Sequence, residues 1–430
     1  MKQQVNLSRF SLFFPEKREF FLENSGIFEF GPNLGSALKV FFSRRIGLSA
    51  GRQVDLEYGA RLAGRAGPWS LGLLGVRTGS LEAREGDPES AVARNDWGTV
   101  RVKRNLGERS NLGLIVTHRD DADLGTNRVY GVDGEWKPSD SVGFWGFAAA
   151  SEGPSEESEG WAGGLGGEYR GSYWSGGARV FEIEDGFDPQ LGFVRRGGGR
   201  RYSSEVEYEP RPDWEGVRNL SFEVEADLFE IGGVTESYEV NVDFFGVDFL
   251  SGESVVMWFN DLGERLFEPF EIFSDVTIAS GSYGWNEVGL WGRTNTGREL
   301  AVEGWVQTGG FYDGDRLAHN LTVTYRPSPY FRSRTTWSRN DIRLPAGDFE
   351  TNLWRQRLSV SVHTDMTVDA LLQYSDAAEQ VSANLRFNWH YRPGSDLFVV
   401  YNHGWDAPTF SDLAGRERQL VVKVTYSWDA

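Results

Sequence analysis

QVSANLRFNWHYR, residues Gln380 to Arg392, alternates without a break. Val381, Ala383, Leu385, Phe387, Trp389 and Tyr391 fall on one side, and Ser382, Asn384, Arg386, Asn388, His390 and Arg392 on the other. A period of two is the geometry of a β-strand with one apolar and one wet face. The pattern recurs in Leu220, Phe222, Val224, Ala226 and Leu228 against Ser221, Glu223, Glu225 and Asp227. It recurs again in Tyr238, Val240, Val242 and Phe244 against Glu239, Asn241 and Asp243. Turn-forming clusters, LSGES at 250–254, RPSP at 326–329 and RPGSD at 392–396, separate such segments and predict hairpins between consecutive strands.

The chain has 430 residues, of which 14% are aromatic and 53 are Gly, a composition that favours strands joined by tight turns. No apolar run is long enough for a membrane helix, which needs about 18 residues or more. A membrane β-barrel is compatible with that, because its strands need about 10 alternating residues each and the mean hydropathy stays low; here it is -0.44. Cys is absent, so closure would rest on hydrogen bonds alone. The net charge of -19 argues against nucleic acid as a partner, since phosphate binding needs a basic face. MKQQVNLSRF lacks the apolar core of a signal peptide, so export is expected to depend on a signal outside this sequence.

A soluble propeller is the competing all-β architecture, but no blade-like repeat of about 40–50 residues is present. Aromatics close to strand ends, Trp145, Trp305, Tyr325, Trp389, Tyr391, Tyr426 and Trp428, have the placement of interface girdles. The fold expected is therefore an all-β transmembrane, antiparallel up-and-down barrel of about 18–22 strands, running from Leu38 to Trp428. Residues 1–35 are set apart as a plug or latch segment, and residues 36–430 are assigned to the barrel.

The set-apart segment contains FSLFFPEKREFFLENSGIFEFG, Phe10 to Gly31, with seven phenylalanines around a charged cluster. Neither a soluble core nor a membrane helix tolerates that mixture. A barrel interior accommodates both: Glu16, Lys17, Arg18 and Glu19 meet charged walls while Phe13, Phe14, Phe20 and Phe21 bury against one another or the barrel mouth. Pro15 places a turn there.

If apolar faces meet lipid, the alternate faces line the interior. Glu205, Glu207, Glu223, Glu225, Asp227, Glu239 and Asp243 form an acidic sector, and Arg332, Arg334, Arg355, Arg357, Arg386, Arg392 and Lys423 a basic one. Strands half the strand count apart face each other in a closed barrel, so the two sectors are expected to set up a field across the interior. Pairing of these charges with one another or with a plug is the alternative.

Catalytic patterns are thin. His118, His319, His363, His390 and His403 form no HExxH motif or close pair, and no GxSxG or Walker loop occurs. THRDDAD, around His118 to Asp123, is the best place for a rim hydrolase, and with EGPSEESEG at 152–160 for weak Ca²⁺ binding; the DxDxDG spacing with a closing Glu is lacking, and solvated loops are the better explanation of both.

Six stretches carry a family likeness: the segment from Asn6 to Gly31, FFSRRIGL at 41–48, FDPQLGFVRR at 187–196, QTGGFYDGDR at 307–316, RLPAGDFETNL at 343–353 and NWHYRPGSDLFVVYN at 388–402. Over essentially its whole length the chain resembles the outer-membrane barrels of the domain of unknown function 5916 family. The resemblance implies a bacterial outer-membrane location and a preceding module similar to family 9 carbohydrate-binding domains. It implies no activity.

The expected function is that of a channel or uptake barrel for small polar solutes, with oligosaccharides suggested by that neighbouring module. A surface-binding or a secretion or assembly scaffold with a plugged interior is the alternative, kept open by the long loops after Gly79 and near Asp185 to Gly199. Expected partners are outer-membrane lipid, the solute, and the barrel assembly machinery reading the C-terminal strand at 420–428. No cofactor, metal or enzymatic role is expected.

Overall fold

The computed structural model describes residues 6–10, 13–32, 34–35, 37–49, 51–84, 86–87, 90–409 and 412–427. Among them 21 long strands join in chain order into one antiparallel sheet whose hydrogen-bonding order closes as a barrel. The all-β architecture and the strand number agree with the sequence pattern. Trp428, one of the aromatics assigned to a girdle, lies outside the described residues.

The first compact unit comprises Phe10–Glu207 with Glu225–Tyr238. It begins with short elements: helix α1 (Glu19–Leu22) and the two-residue strands β1 (Leu38–Lys39), β2 (Leu48–Ser49) and β3 (Arg52–Gln53). The long strands are β4 (Leu56–Ala66), β5 (Trp69–Thr78), β6 (Asn95–Leu106), β7 (Ser110–Asp121), β8 (Gly125–Trp136), β9 (Val142–Glu152), β10 (Gly160–Arg170) and β11 (Trp174–Ile183). The two-residue β12 (Phe193–Val194) and the long β13 (Gly199–Tyr208) follow. The large sheet thus begins at Leu56, not near residue 36; Leu38–Lys39 pairs instead with Phe193–Val194.

One row of the register decides which face of this unit is filled. Ala63, Gly72, Arg101, Ile115, Gly131, Ala149, Ala162 and Ile183 lie side by side across β4 to β11. Most are small, and Phe30, Leu34, Leu38 and Val40 pack on this inner face. The opposite face exposes Leu71, Leu73, Val100, Leu114, Val132 and Leu165. Near the short turns the same outer face carries Trp69, Trp136, Phe144, Tyr169 and Trp174, all exposed. These form the aromatic girdle of this unit. Trp145, expected among them, is turned to the inner face and buried with Phe30, Phe147 and Phe181, because its strand parity is opposite to that of Phe144.

The second compact unit comprises residues 6–9 of the described N-terminus, Tyr208–Val224 and Glu239 onward. Strands β14 (Val217–Ile231) and β15 (Val234–Phe249) are divided between the units, and β16 (Ser254–Leu266) follows. The hairpin β17 (Phe270–Phe273) and β18 (Val276–Ile278) interrupts the meander before β19 (Gly281–Arg293) and β20 (Leu300–Phe311). Then come β21 (Gly314–Ser328), β22 (Phe331–Leu344), β23 (Gly347–His363), β24 (Met366–Ser375), β25 (Gln380–Arg392), β26 (Ser395–Thr409) and β27 (Asp412–Val424).

Its outer face exposes Leu317, Leu321, Tyr325, Leu372, Leu385 and Trp389. Trp305, expected in the girdle, pairs with Trp291 on the face that also carries Gln307 and the buried Glu287, so it belongs to the inner face. A core forms where the β17–β18 hairpin folds onto the ends of β16, β20, β22 and β23, with Phe273 stacked on Phe349 at 4.6 Å. That core includes Phe311 and Tyr312 of QTGGFYDGDR and Leu344 and Phe349 of RLPAGDFETNL. Two of the family-like stretches therefore meet in one packing centre.

Candidate plug and inner walls

Three other family-like stretches meet on the inner face of the first unit. Phe21, Phe28 and Phe30 are buried there, each contributing about 2–3 kcal/mol if fully removed from water. The ring of Phe30 sits over Gly131, where a Cβ would come within 2.7 Å of it, and the ring of Phe28 sits over Gly72 at 2.8 Å. Glycine at these two sites creates the hollows that the phenylalanines fill.

The charged PEKRE cluster resolves into a polar clamp. Arg18 donates to the carbonyls of Ser43 at 2.8 Å and Ile46 at 2.6 Å, holding the FFSRRIGL turn. Glu16 bonds the same guanidinium at 2.6 Å and accepts the Ser43 hydroxyl at 2.9 Å. Burial opposes the charge on Glu16, but hydrogen bonds from the Arg18 side chain and from the Arg18 and Lys17 N–H groups outweigh it and hold the carboxyl at about 2. Phe13 packs on Phe42 and Phe193. Phe14, Lys17, Glu19 and Phe20 are exposed, so half of the eight expected plug residues do not bury.

The 184–198 loop completes this assembly. Its Leu191 carbonyl accepts the Phe42 N–H, and its Gly192 carbonyl accepts Arg45. This loop, expected as a free surface for binding, is folded inward onto the segment. A cavity of about 600 Å³ remains, lined by Phe28, Phe30, Lys39, Lys103, Asp133 and Glu135 among others.

The acidic residues are less uniform than their spacing suggests. Glu205 and Glu207 lie on β13, where Ser175 donates to Glu207 at 2.9 Å. Asp227 on β14 is bound by Arg201 and Ser203, both at 2.7 Å, so this part of the acidic sector contains its own cation. Glu223 and Glu225 lie on β14, and Glu239 and Asp243 on β15; Glu223, Glu239 and Asp243 are all engaged in contacts.

The basic residues of the second unit do gather on its inner face. One register row runs Arg332, Ser359, Asp369, Arg386 and Val400, and the next Arg334, Arg357, Leu371, Asn384, Asn402 and Gln419. Arg355 stands one row further, between Thr336 and Gln373. Lys423, opposite Phe398, and Arg386 lie over the Phe398 ring at 5.8 and 5.0 Å. Arg392 leaves this group: past an irregularity after His390 it donates to the Tyr426 hydroxyl at 2.9 Å. Acids also lie on this wall: Asp369, bonded to Ser359, Asp396, bonded to His390, and Asp406 and Glu417 on β26 and β27, the last in the row of Arg355.

Around His118 no catalytic arrangement forms. His118 is on the outer face, and Asp121 instead accepts the N–H groups of Asp123 and Leu124 and pairs with Arg119. No group of three potential metal ligands occurs among the described residues.

No family model matches the chain, and no curated protein matches it. Solved structures do. The ferric enterobactin receptor PfeA from Pseudomonas aeruginosa, as a mutant, aligns with a TM-score of 0.52 and 8% identity over 82% of this chain and 72% of that one. The siderophore receptor PirA from the same organism gives 0.51 and 9% over 83% and 73%. A PfeA mutant in complex with enterobactin also aligns, at 0.52 and 8% over 82% and 73%. The fold is that of bacterial outer-membrane receptor barrels. At such low identity the likeness reaches the fold alone, and these neighbours are receptors rather than enzymes. The exposed Leu, Val and aromatic rows give this barrel the outer surface that a lipid bilayer requires.

Proposed function

We propose that the chain is an outer-membrane uptake barrel for small polar solutes whose N-terminal segment, about residues 10–31, acts as a plug. The supporting observation is the attachment of that segment to the inner face of the first unit, by phenylalanines in glycine hollows and by the Glu16–Arg18 clamp. A plug bound by several modest contacts can be displaced by part of a domain, without unfolding the sheet around it. The receptor fold of PfeA and PirA supports uptake as the class of activity, and the enterobactin-bound PfeA gives a ligand-binding example of that fold.

Membership of the domain of unknown function 5916 family is part of this reading, and rests on the six shared stretches. Oligosaccharides as cargo follow from that membership alone. Recognition of residues 420–428 by the assembly machinery is part of the same reading, supported by the alternation of Leu420, Val422 and Val424 at the end of β27 and by Tyr426 just past it. The acidic and basic sectors would bias passage by charge.

The test is reconstitution of the full chain and a 10–31 deletion in planar bilayers and liposomes. The deletion is expected to raise single-channel conductance and solute-driven swelling. Equal conductance from two folded barrels overturns the plug, and absence of passage by both overturns uptake in favour of a scaffold.

A further inference from the structure

Three inner-face arginines of the second unit lack what their counterparts have. In the first unit Arg101 is paired with Asp133, and Arg201 with Asp227; in the second, Arg316 is paired with Glu287. Arg332, Arg334 and Arg357 are exposed on the inner face, and among the described residues none has a carboxylate partner. The register sets Arg334 directly opposite Arg357, with Arg332 two residues along the same strand. Neighbouring strands are about 4.8 Å apart and same-face residues about 6.8 Å apart, so the three cations share one small patch.

Like charges directly opposite on adjacent strands are destabilising. The nearest acid of the wall does not relieve them: Asp369 accepts the Ser359 hydroxyl at 2.5 Å and stands opposite Arg386. Leu371 stands next along the Arg334–Arg357 row, and neutral hydrogen-bonding groups follow beyond it. Asn384 donates to Asn402 at 2.5 Å, and Asn402 donates to Gln419 at 3.3 Å. A patch of adjacent guanidinium forks, with amides beginning two strands further along the row, offers bidentate donors to oxyanions and, to a larger solute, further donors to the polar body that carries them.

We propose that Arg332, Arg334 and Arg357 form a binding site for a solute bearing two neighbouring oxyanions, carboxylate, phosphate or sulfate. The bound oxyanions supply the counter-charge that the wall omits. The site's role in transport rests on the uptake reading, but its occupancy is measurable without any transport.

The experiment is titration calorimetry on the full chain, folded in detergent at low salt, with inorganic pyrophosphate, a sulfated disaccharide and its unsulfated parent. Pyrophosphate and the sulfated sugar are expected to bind and the parent sugar not to. Binding of pyrophosphate alone assigns the site to free dianions; binding of the sulfated sugar as well extends it to anionic saccharides. Arg334→Gln with Arg357→Gln should weaken binding at least about tenfold, and the double Lys variant, which keeps the charge but not the fork, should fall between. Heat-modifiable gel mobility reports whether each variant folds. If the Gln pair does not fold, Arg332→Gln and a salt series on the unmodified protein decide, since affinity should fall steeply between ~0.02 and ~0.3 M salt.

Absence of anion binding by the folded protein, affinity unchanged in the folded variant, or affinity indifferent to salt overturns the proposal. Loss of solute passage with binding intact would count against uptake alone.

Discussion

Arg101 and Asp133 meet across an intervening strand in a two-point ion pair, Nη1 to Oδ1 at 2.5 Å and Nη2 to Oδ2 at 2.8 Å, and Asp133 also accepts the Gly31 N–H at 3.1 Å. The pair passes over Gly113 on β7, where a Cβ would lie 2.5 Å from the guanidinium. Arg101 is fully buried. One carboxylate thus neutralises a wall charge and anchors the backbone of the N-terminal segment.

Removing that carboxylate should be costly in a specific way. Asp133→Ala leaves a buried guanidinium without its counter-charge, a loss of about 3–5 kcal/mol, whereas replacing both partners by apolar residues should cost much less. Urea unfolding in detergent of the two singles and the double measures this. A single variant within about 0.5 kcal/mol of the parent would show that water already reaches the pair.

The seat of Phe30 gives a prediction local to the plug. Gly131→Val places side-chain carbon where the ring now lies, so the segment should detach while the strand, helped by a β-branched residue, persists. Phe30→Ala should weaken the same attachment by about 3 kcal/mol. Hydrogen exchange at residues 13–32 should accelerate in both variants, with β7 to β9 protected as before. Unchanged exchange would mean that Phe30 does not hold the segment.

The clamp should respond to acid. The carboxyl of Glu16 sits at about 2 in the folded chain against 4.5 in a free chain, so its contribution is complete above about pH 4.5 and is lost as pH falls towards 2. Limited proteolysis of the segment should therefore increase across that window in the parent protein. In Glu16→Gln the segment should be more easily cleaved at neutral pH and should lose this pH step. An identical step in both would assign the acid response to other carboxylates.

Strand period, turn chemistry and the absence of long apolar runs were enough to read the barrel, because strict alternation such as that of Gln380–Arg392 leaves no other periodic structure. The basic rows of β22, β23 and β25 were legible for the same reason. Trp145 and Trp305 were misassigned because aromatic residues near strand ends occur on both faces, and only the parity of the neighbours distinguishes lipid from interior. For Trp145, the signal was available in Phe144, Phe147 and the alternating VGFWGFAAA. The inward fold of the 184–198 loop and the clamp on Ser43 were not legible, since no periodicity links residues so far apart in sequence. The family-like stretches marked them indirectly: FFSRRIGL and FDPQLGFVRR carry the atoms that the segment binds.

The inner wall of the second unit makes the last prediction. Arg332, Arg334, Arg355, Arg357, Arg386 and Lys423 face the same side, against Asp369, Asp396, Asp406 and Glu417. Charges lining a narrow aqueous path raise the local concentration of counter-ions, and this acts on permeation even when the ions do not bind. Arg355, Arg357 and Arg386 changed together to Glu invert the sign of this surface while keeping it polar. With the plug segment deleted, the parent barrel should favour anions, and the reversed barrel should shift its zero-current potential under a salt gradient towards cations. The difference should shrink above about 1 M salt, where the screening length falls to about 3 Å. An unchanged potential at low salt would mean that permeant ions do not pass along this wall.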